Sequence, residues 1–270
     1  LPTIHQQFLA YQPQIEQILG EPVSISGLTG PLRIFQRLNG HRHSIDDTTT
    51  AWYALQKAPP TTSALDLGTG IGTVGLVVLW GLGANATLDC IEAQDISFKL
   101  LQANIKCNGL ASRVTERQGD LRDLNLGRKF SLITGSPPYF PKHAGVLPSD
   151  SQKAHARFEL RGNVGDYARA AKRHLADDGI FVYCFPYQQK QRGIELVQEA
   201  GLKIATVRDV IPRPSKAPLF SLYSARLDCD QPMLEEPPFL VADADGKYTE
   251  AMVKLQESRG FGPDGTNKIE

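Results

Sequence analysis

The chain has 270 residues, 41% of them apolar, and equal numbers of basic and acidic side chains at 29 each. That is enough apolar material for one sizeable core or one domain with additions, and the zero net charge gives no global electrostatic case for a polyanionic partner. No apolar run reaches the roughly 18 residues a membrane helix needs, Val74 to Leu82 being glycine-interrupted, and the four cysteines (Cys90, Cys107, Cys184, Cys229) show no C-x-x-C or metal spacing, so no membrane span, no metal and a reducing, cytoplasmic location are expected.

Residues 1–27 carry apolar side chains at helical spacing (Ile4, Phe8, Tyr11, Ile15, Leu19) and read as one or two short helices broken at Pro13 and stopped at Gly20. The first residue is Leu, from which a trimmed start is expected; no signal peptide is visible. Leu32 to Leu38 alternates as a strand, and Asn39-Gly40 is a turn signal suggesting a hairpin. Ser44-Ile45-Asp46-Asp47 looks like a helix start leading to Lys57, with Ser44 or Asp46 as cap, and Ala58-Pro59-Pro60 closes that unit.

From Thr61 strand and helix alternate, the signature of a parallel sheet covered on both faces. Strands are expected at 63–67, 87–92, 113–118, 130–135, 180–185, 203–211 and 220–227, and helices near 72–82, 94–108, 165–176 and 188–200, with Gly109 and Gly201 as stops. The first strand runs into Asp66-Leu67-Gly68-Thr69-Gly70-Ile71-Gly72-Thr73-Val74-Gly75. Glycines there let the backbone approach a ligand, and the following helix start presents free N–H groups. Gly70, Gly72 and Gly75 satisfy the G-x-G-x-x-G fingerprint, with Glu92-Ala93 at about the expected distance of 20 residues. That pattern alone leaves a nicotinamide cofactor and S-adenosylmethionine both open.

Phe130-Ser131-Leu132-Ile133 reads as a buried strand ending in Thr134-Gly135-Ser136-Pro137-Pro138-Tyr139-Phe140. Two consecutive prolines cannot continue a central strand, and they stiffen the loop. The loop offers a hydroxyl (Ser136), a carbonyl (Pro137) and a flat ring (Tyr139), a set suited to a planar group carrying an NH2. It lies at the carboxyl end of a strand, where open α/β sheets bind ligands. Residues 141–164 show no convincing element but carry Lys142, Lys153, His155, Arg157 and Arg161, the pattern of a substrate-covering loop. After the last strand, Pro232, Pro237 and Pro238 mark a linker, and Tyr248 to Ser258 has helical spacing. Residues 1–227 hold 25 basic against 19 acidic side chains and residues 228–270 hold 4 against 10, a modestly basic body with an acidic tail.

The order of motifs resembles the amino-methyltransferases of the class I fold: Asp66 two residues before Gly68, Glu92 ending the next strand, Asp120-Leu121 after the third, and Ser-Pro-Pro-Tyr after the fourth. Within that group Gly40-His41-Arg42-His43-Ser44-Ile45-Asp46, Asn108-Gly109-Leu110, Ala156-Arg157-Phe158-Glu159 and Lys247-Tyr248-Thr249-Glu250-Ala251 are similar to the bacterial tRNA(Val) adenine-N6 methyltransferase family. The resemblance implies a Rossmann-like, seven-stranded, mostly parallel sheet with helices on both faces and a small N-terminal helical and hairpin extension. It divides the chain into an extension (1–57), a cofactor-binding core (58–228) and a C-terminal linker and helix that pack back on the core (229–270).

It further implies that S-adenosylmethionine is the cofactor, with S-adenosylhomocysteine as product, and that Asp46, Asp66, Gly68, Thr69, Gly70, Gly72, Glu92, Ala93, Asp120, Leu121 and Ser136 hold it. In that reading Glu92 accepts the ribose hydroxyls and Asp120 the adenine. Ser136, Pro137, Pro138 and Tyr139 would carry the transfer, and Tyr139, Phe140, Lys142, Arg157 and Arg161 would meet the acceptor. RNA, with tRNA foremost, is the expected partner of a monomeric enzyme. One departure is Ser136, where that family usually has Asn; Ser-Pro-Pro-Tyr is more familiar from cytosine amine methyltransferases of DNA. A cytosine, a glutamine side chain or a small molecule thus stays open as acceptor, and a nicotinamide-dependent dehydrogenase remains the distant alternative.

Overall fold

A single helix, α1 (Ile4–Leu19), opens the chain, closed at one end by a Thr3–Gln6 capping box and at the other by Gly20 in the left-handed region. Pro13 lies inside α1 and does not break it. The proline costs one backbone hydrogen bond, but Phe8 and Ile15 on either side of it are buried, and Phe8 meets Phe35 with ring centroids 4.5 Å apart. Then β1 (Val23–Thr29) and β2 (Leu32–Arg37) pair antiparallel. The hairpin turn falls at Gly30-Pro31, not at Asn39-Gly40 as expected. Gly30 has a positive φ of 50°, and a Cβ there would sit 2.4 Å from the Trp80 ring, so the turn is packed tightly against that side chain. The computed structural model describes residues 2–266; Leu1, which prompted the expectation of a trimmed start, and residues 267–270 of the C-terminal unit lie outside it.

Beyond α2 (Ile45–Lys57) the strands and helices alternate: β3 (Ser63–Leu67), α3 (Thr73–Gly81), β4 (Thr87–Glu92), α4 (Asp95–Cys107), β5 (Val114–Gln118), β6 (Phe130–Gly135), α5 (Ser151–Arg157), α6 (Val164–His174), β7 (Leu175–Pro186), α7 (Lys190–Glu199), β8 (Lys203–Ile211), β9 (Phe220–Arg226), β10 (Leu234–Leu240) and α8 (Glu250–Ser258). The sheet order is β10-β8-β9-β7-β6-β3-β4-β5. All pairings are parallel except those of β9 with β7 and β8. The class of fold expected from the sequence is borne out, with an eighth strand, β10, added at one edge. Pro237 and Pro238 sit in that strand at a register shift between Glu236 and Phe239, the placement an edge strand tolerates.

The sheet is covered on both faces by two apolar clusters. One gathers α1 to α4 with the hairpin and α8, and the other gathers α6 and α7. The tail is anchored on the hairpin by buried Arg259, whose carbonyl accepts from Gly30 N at 2.5 Å and from Thr29 Oγ1 at 3.2 Å. Burial lowers its guanidinium to about 10. Strand order reverses at β3, which lies between β4 and β6. A crevice therefore opens at the carboxyl ends of these three strands, where such sheets bind ligands.

Candidate active site

A cleft of about 580 Å3 occupies that crevice. Its floor is the turn after β3. Asp66, only 1% exposed, accepts from Thr134 Oγ1 at 2.7 Å and Gly75 N at 3.0 Å, and also from the Thr69 hydroxyl. Burial pushes its carboxyl up, and these donors oppose the shift. Asp66 is thus a brace that ties the turn and the start of α3 to β6. Gly68, Gly70 and Gly72 all have positive φ, at 59°, 60° and 95°. A Cβ on Gly68 would lie 2.0 Å from the Tyr167 hydroxyl, and one on Gly72 would meet Leu101 and Leu76, whereas one on Gly70 would meet nothing within 4 Å. Gly72 therefore shapes the turn without lining the cleft, contrary to a direct ligand role, while Gly70 faces open space.

Glu92, at the end of β4, is 8% exposed. Its Oε2 accepts from Gly70 N at 2.8 Å and its Oε1 from Gln94 N at 2.6 Å. Burial raises its carboxyl above the ordinary range, with those two N–H groups and the Arg161 charge pulling the other way. An ionised carboxylate has about four acceptor positions, so two remain beyond these bonds. Asp120 and Leu121 line the next stretch. The Asp120 carboxylate is clasped by Arg122, through Nε at 2.9 Å and Nη2 at 2.7 Å, and this contact holds its pKa below the usual range.

On the opposite side stand Ser136, Pro137, Pro138 and Tyr139. Tyr139 N and Phe140 N donate to the Arg157 carbonyl at 3.1 and 2.9 Å, and Gln189 Nε2 donates to the Tyr139 carbonyl at 2.9 Å. Those bonds fix the loop that the two prolines stiffen. Phe140 does not line the cleft. It lies behind the Tyr139 ring with centroids 4.5 Å apart and is itself backed by Phe158 at 5.3 Å. Ser136 Oγ is 3.5 Å from the thiol of Cys184, which burial pushes up to about 12, so it stays protonated.

The sequence led to a covering loop here, but not to a helix within it. The stretch 141–164, expected to lack structure, contains α5, and the chain from Asn39 to Ser44 runs beside it along the cleft. Gln152 joins them: its Oε1 accepts from His41 N and Arg37 Nη1, both at 3.1 Å, and its Nε2 donates to Ser97 Oγ at 3.2 Å. Gln94 Nε2 donates to the Ser151 carbonyl at 3.0 Å, so the residue that Glu92 holds also holds α5. Arg157 and Arg161 border the cleft as expected, with Lys153 and His155, but Lys142 lies outside it.

Asp46 lines the cleft at the start of α2 beside Asp47, which sequence reasoning did not single out. Burial pushes the Asp47 carboxyl well up, with Asp46 adding to the shift, while the Ser44 N–H and Thr73 hydroxyl oppose it. Tyr167 is another unforeseen lining residue. The missing side chains of Gly68 and Gly135 make its room.

Residues 41–163 match the family model of the methyltransferase small domain. Over 194 residues, 72% of this chain and 80% of the relative, the sequence is 26% identical to a tRNA1(Val) (adenine(37)-N6)-methyltransferase of Actinobacillus pleuropneumoniae serotype 7 (strain AP76). It is 27% identical, over 71% of this chain and 80% of the relative, to the protein of the same name from Haemophilus influenzae (strain PittGG). Among solved structures, a predicted O-methyltransferase from Agrobacterium tumefaciens superposes with a TM-score of 0.59 at 15% identity, covering 84% of this chain and 99% of that one. The tRNA m1G37 methyltransferase of M. jannaschii gives 0.53 at 14% identity over 76% and 55%.

The cleft fits S-adenosylmethionine on its own residues: open space at Gly70, a buried acid with spare acceptor capacity at Glu92, apolar walls at Ile91 and Leu121, and an acid at Asp46 suited to a cationic ligand. Its volume is in the range of cofactor sites, roughly 300–1,000 Å3. Read together with the family model and the relatives, this geometry sets the dehydrogenase alternative aside and makes the chain a class I, S-adenosylmethionine-dependent methyltransferase.

Proposed function

We propose that the protein methylates the exocyclic N6 amine of an adenine in tRNA, working in the cytoplasm. The observation that carries this reading is that Ser136, Pro137 and Tyr139 stand in one cleft with Glu92 and the glycine turn. The names of the relatives support adenine in tRNA as the acceptor, and the Arg157, Arg161, Lys153 and His155 border supports a phosphate-bearing one.

Glu92 would accept the cofactor's ribose hydroxyls with the lone pairs left after Gly70 N and Gln94 N. Gly68, Thr69, Gly70, Ala93 and Leu121 would line its seat, and Asp120, held by Arg122, would meet its adenine. Asp46 would face its positive charge, and Asp66 acts indirectly by shaping the turn. S-adenosylmethionine, when bound, supplies a methyl group on a positively charged sulfur. The adenine amine is a poor nucleophile because its lone pair is delocalised into the ring. Ser136 Oγ and the Pro137 carbonyl each accept one of its hydrogens, which localises that lone pair and aims it across the cleft. Tyr139 stacks on the base, and Pro138 and Phe140 keep that ring from turning away. Placing the reacting atoms about 3–3.5 Å apart is the main catalytic task, and the roof of α5 excludes water. The base reaches the cleft unpaired or flipped.

Ser136 in place of the Asn usual in the resembled family favours one second reading, a cytosine amine. Mass spectrometry of nucleosides and amino acids after incubation with S-adenosylmethionine and tRNA, DNA or protein extract tests both. N6-methyladenosine confined to tRNA is the expected product. N4-methylcytosine in DNA, or methylglutamine in protein, would overturn the proposal.

A further inference from the structure

A second groove, of about 440 Å3, is lined by Gln188, Pro212, Arg213, Lys216, Pro218 and Leu219. The sheet register places it on the same rim as the active site. Gly135 pairs with Tyr183, β7 continues to Pro186, and Pro186 and Val210 both pair with Phe220. The segment 187–189 and the β8–β9 loop 212–219 therefore leave the sheet at the carboxyl end of β6. They are tied together by Tyr187 N donating to the Leu219 carbonyl at 3.2 Å, and tied to the active site by Gln189 Nε2 on the Tyr139 carbonyl. From β6 to β9 is two strand spacings of about 4.8 Å, on the order of three nucleotide rises at 3.4 Å per strand.

Three features of the groove suit a nucleic-acid backbone. Arg213 and Lys216 are exposed and make no ion pair among the described residues; Arg213 passes Gly246 without pairing to Asp243 or Asp245. Asp209 and Glu235 share the Lys190 ammonium, at 3.1 and 3.6 Å, rather than pairing with Arg213 or Lys216. Tyr187, the neighbour of the groove residue Gln188, is 36% exposed, with the Lys190 ammonium 5.8 Å from its ring centroid. Finally, Pro212, Pro214 and Pro218 fall within seven residues, which stiffens the loop and lowers the entropy lost on binding.

We infer that this groove receives the phosphates of the RNA strand that delivers its base to Tyr139, with Arg213 and Lys216 as the contacting cations and Tyr187 as a stacking face for a flanking nucleotide. The inference rests on the proposed RNA acceptor. The test is equilibrium binding of unfractionated tRNA to the full chain over a salt series, with steady-state methyl transfer to the same tRNA, for wild type, Arg213→Gln/Lys216→Gln and Arg213→Lys. The double variant is expected to flatten the log-affinity against log-salt slope by about 1.4–1.8 for two lost contacts. It should also raise the KM for tRNA roughly tenfold at unchanged kcat, S-adenosylhomocysteine affinity and melting temperature, and Arg213→Lys should behave as wild type. Wild-type methylation of tRNA with an unaltered slope and KM in the double variant would overturn the groove alone. Failure of the wild type to bind or methylate tRNA would overturn both the groove and the acceptor it depends on.

Discussion

Replacing Ser136 by Ala should separate chemistry from folding. Among the described residues the Ser136 hydroxyl has one hydrogen-bond partner, Cys184 Sγ at 3.5 Å. The buried thiol is pushed up to about 12 and stays protonated. Thr50 Oγ1, buried, has no hydrogen-bond partner among the described residues. Either group can donate across the Ser136–Cys184 contact, and with the serine as donor its lone pairs are left free to accept. Losing so weak a contact costs about 0.5–1.5 kcal/mol, or a few degrees of melting temperature at this chain length. Losing a pre-placed polar contact at the reacting centre costs about 2.7–4 kcal/mol, a 10²–10³-fold fall in kcat. On the proposed assignment Glu92 and the glycine turn, not Ser136 as first expected, set cofactor affinity, which should not change. Cys184→Ala should lower kcat by less, since the serine oxygen remains but its proton is no longer held back, and Cys184→Ser should restore it. The assay is kcat, S-adenosylhomocysteine calorimetry and melting temperature on the same three proteins. Wild-type turnover in folded Ser136→Ala, or a fall in cofactor affinity matching the fall in kcat, would refute the reasoning.

Glu92→Ala should weaken S-adenosylhomocysteine binding by at least tenfold, since each charge-assisted bond contributes about 1.5–3 kcal/mol. Glu92→Gln, which keeps one acceptor oxygen but sets an NH2 against a backbone N–H, should fall between; equal calorimetric affinities would sink the assignment. Gly68→Ala and Gly70→Ala both pay about 1–2 kcal/mol for a left-handed backbone, but only the first also drives a Cβ to 2.0 Å from Tyr167. Gly68→Ala should accordingly lose stability and Gly70→Ala chiefly cofactor affinity, as melting curves and calorimetry will show. Asp47 has a folded-state pKa raised by burial, so the folded state binds the proton more tightly than the unfolded one, and its charging destabilises the fold as pH rises above about 3.8. Asp47→Asn should therefore raise the melting temperature at pH 8, with the gain shrinking towards pH 4; a gain independent of pH would contradict the sign. Tyr139→Ala should raise the KM for tRNA by the roughly 1–3 kcal/mol of base stacking while Tyr139→Phe does not, and equal KM values would remove the stacking role.

Much of the core was legible because it rests on local signals. The positive-φ glycines, the acid closing β4 and the proline pair after β6 each carry their geometry in a few residues, and the structure brings Gly68, Gly70, Glu92, Asp120, Ser136 and Tyr139 to one cleft. What escaped depended on distant partners. Asn39-Gly40 is a good local turn signal, but strand pairing chose Gly30-Pro31, where a glycine fits against Trp80. Pro237-Pro238 hid β10 because a strand with two prolines survives only on an edge with a shifted register. Helix α5 has seven residues and no apolar stripe, so nothing periodic announces it; its position depends on Gln94, Gln152 and Ser97. Tyr167 gave no signal of its own, since its place in the cleft follows from space left by glycines on two other elements. Lys142 was grouped with Arg157 and Arg161 by charge alone, and charge does not say which way an exposed side chain faces.

The central claim is that an adenine amine of tRNA is held between Ser136, Pro137 and Tyr139 while a methyl group arrives from the glycine-turn side. Its most direct test uses an unmodified transcript of tRNA1(Val) and a second transcript with guanine at position 37, the position in the relatives' names. Each is incubated with this protein and S-adenosylmethionine carrying a deuterated methyl, then digested for nucleoside mass spectrometry. The account predicts deuterated N6-methyladenosine from the first transcript and none from the second. Label in cytidine, label in both transcripts alike, or no label in RNA while a protein or DNA sample takes it up, would contradict the account.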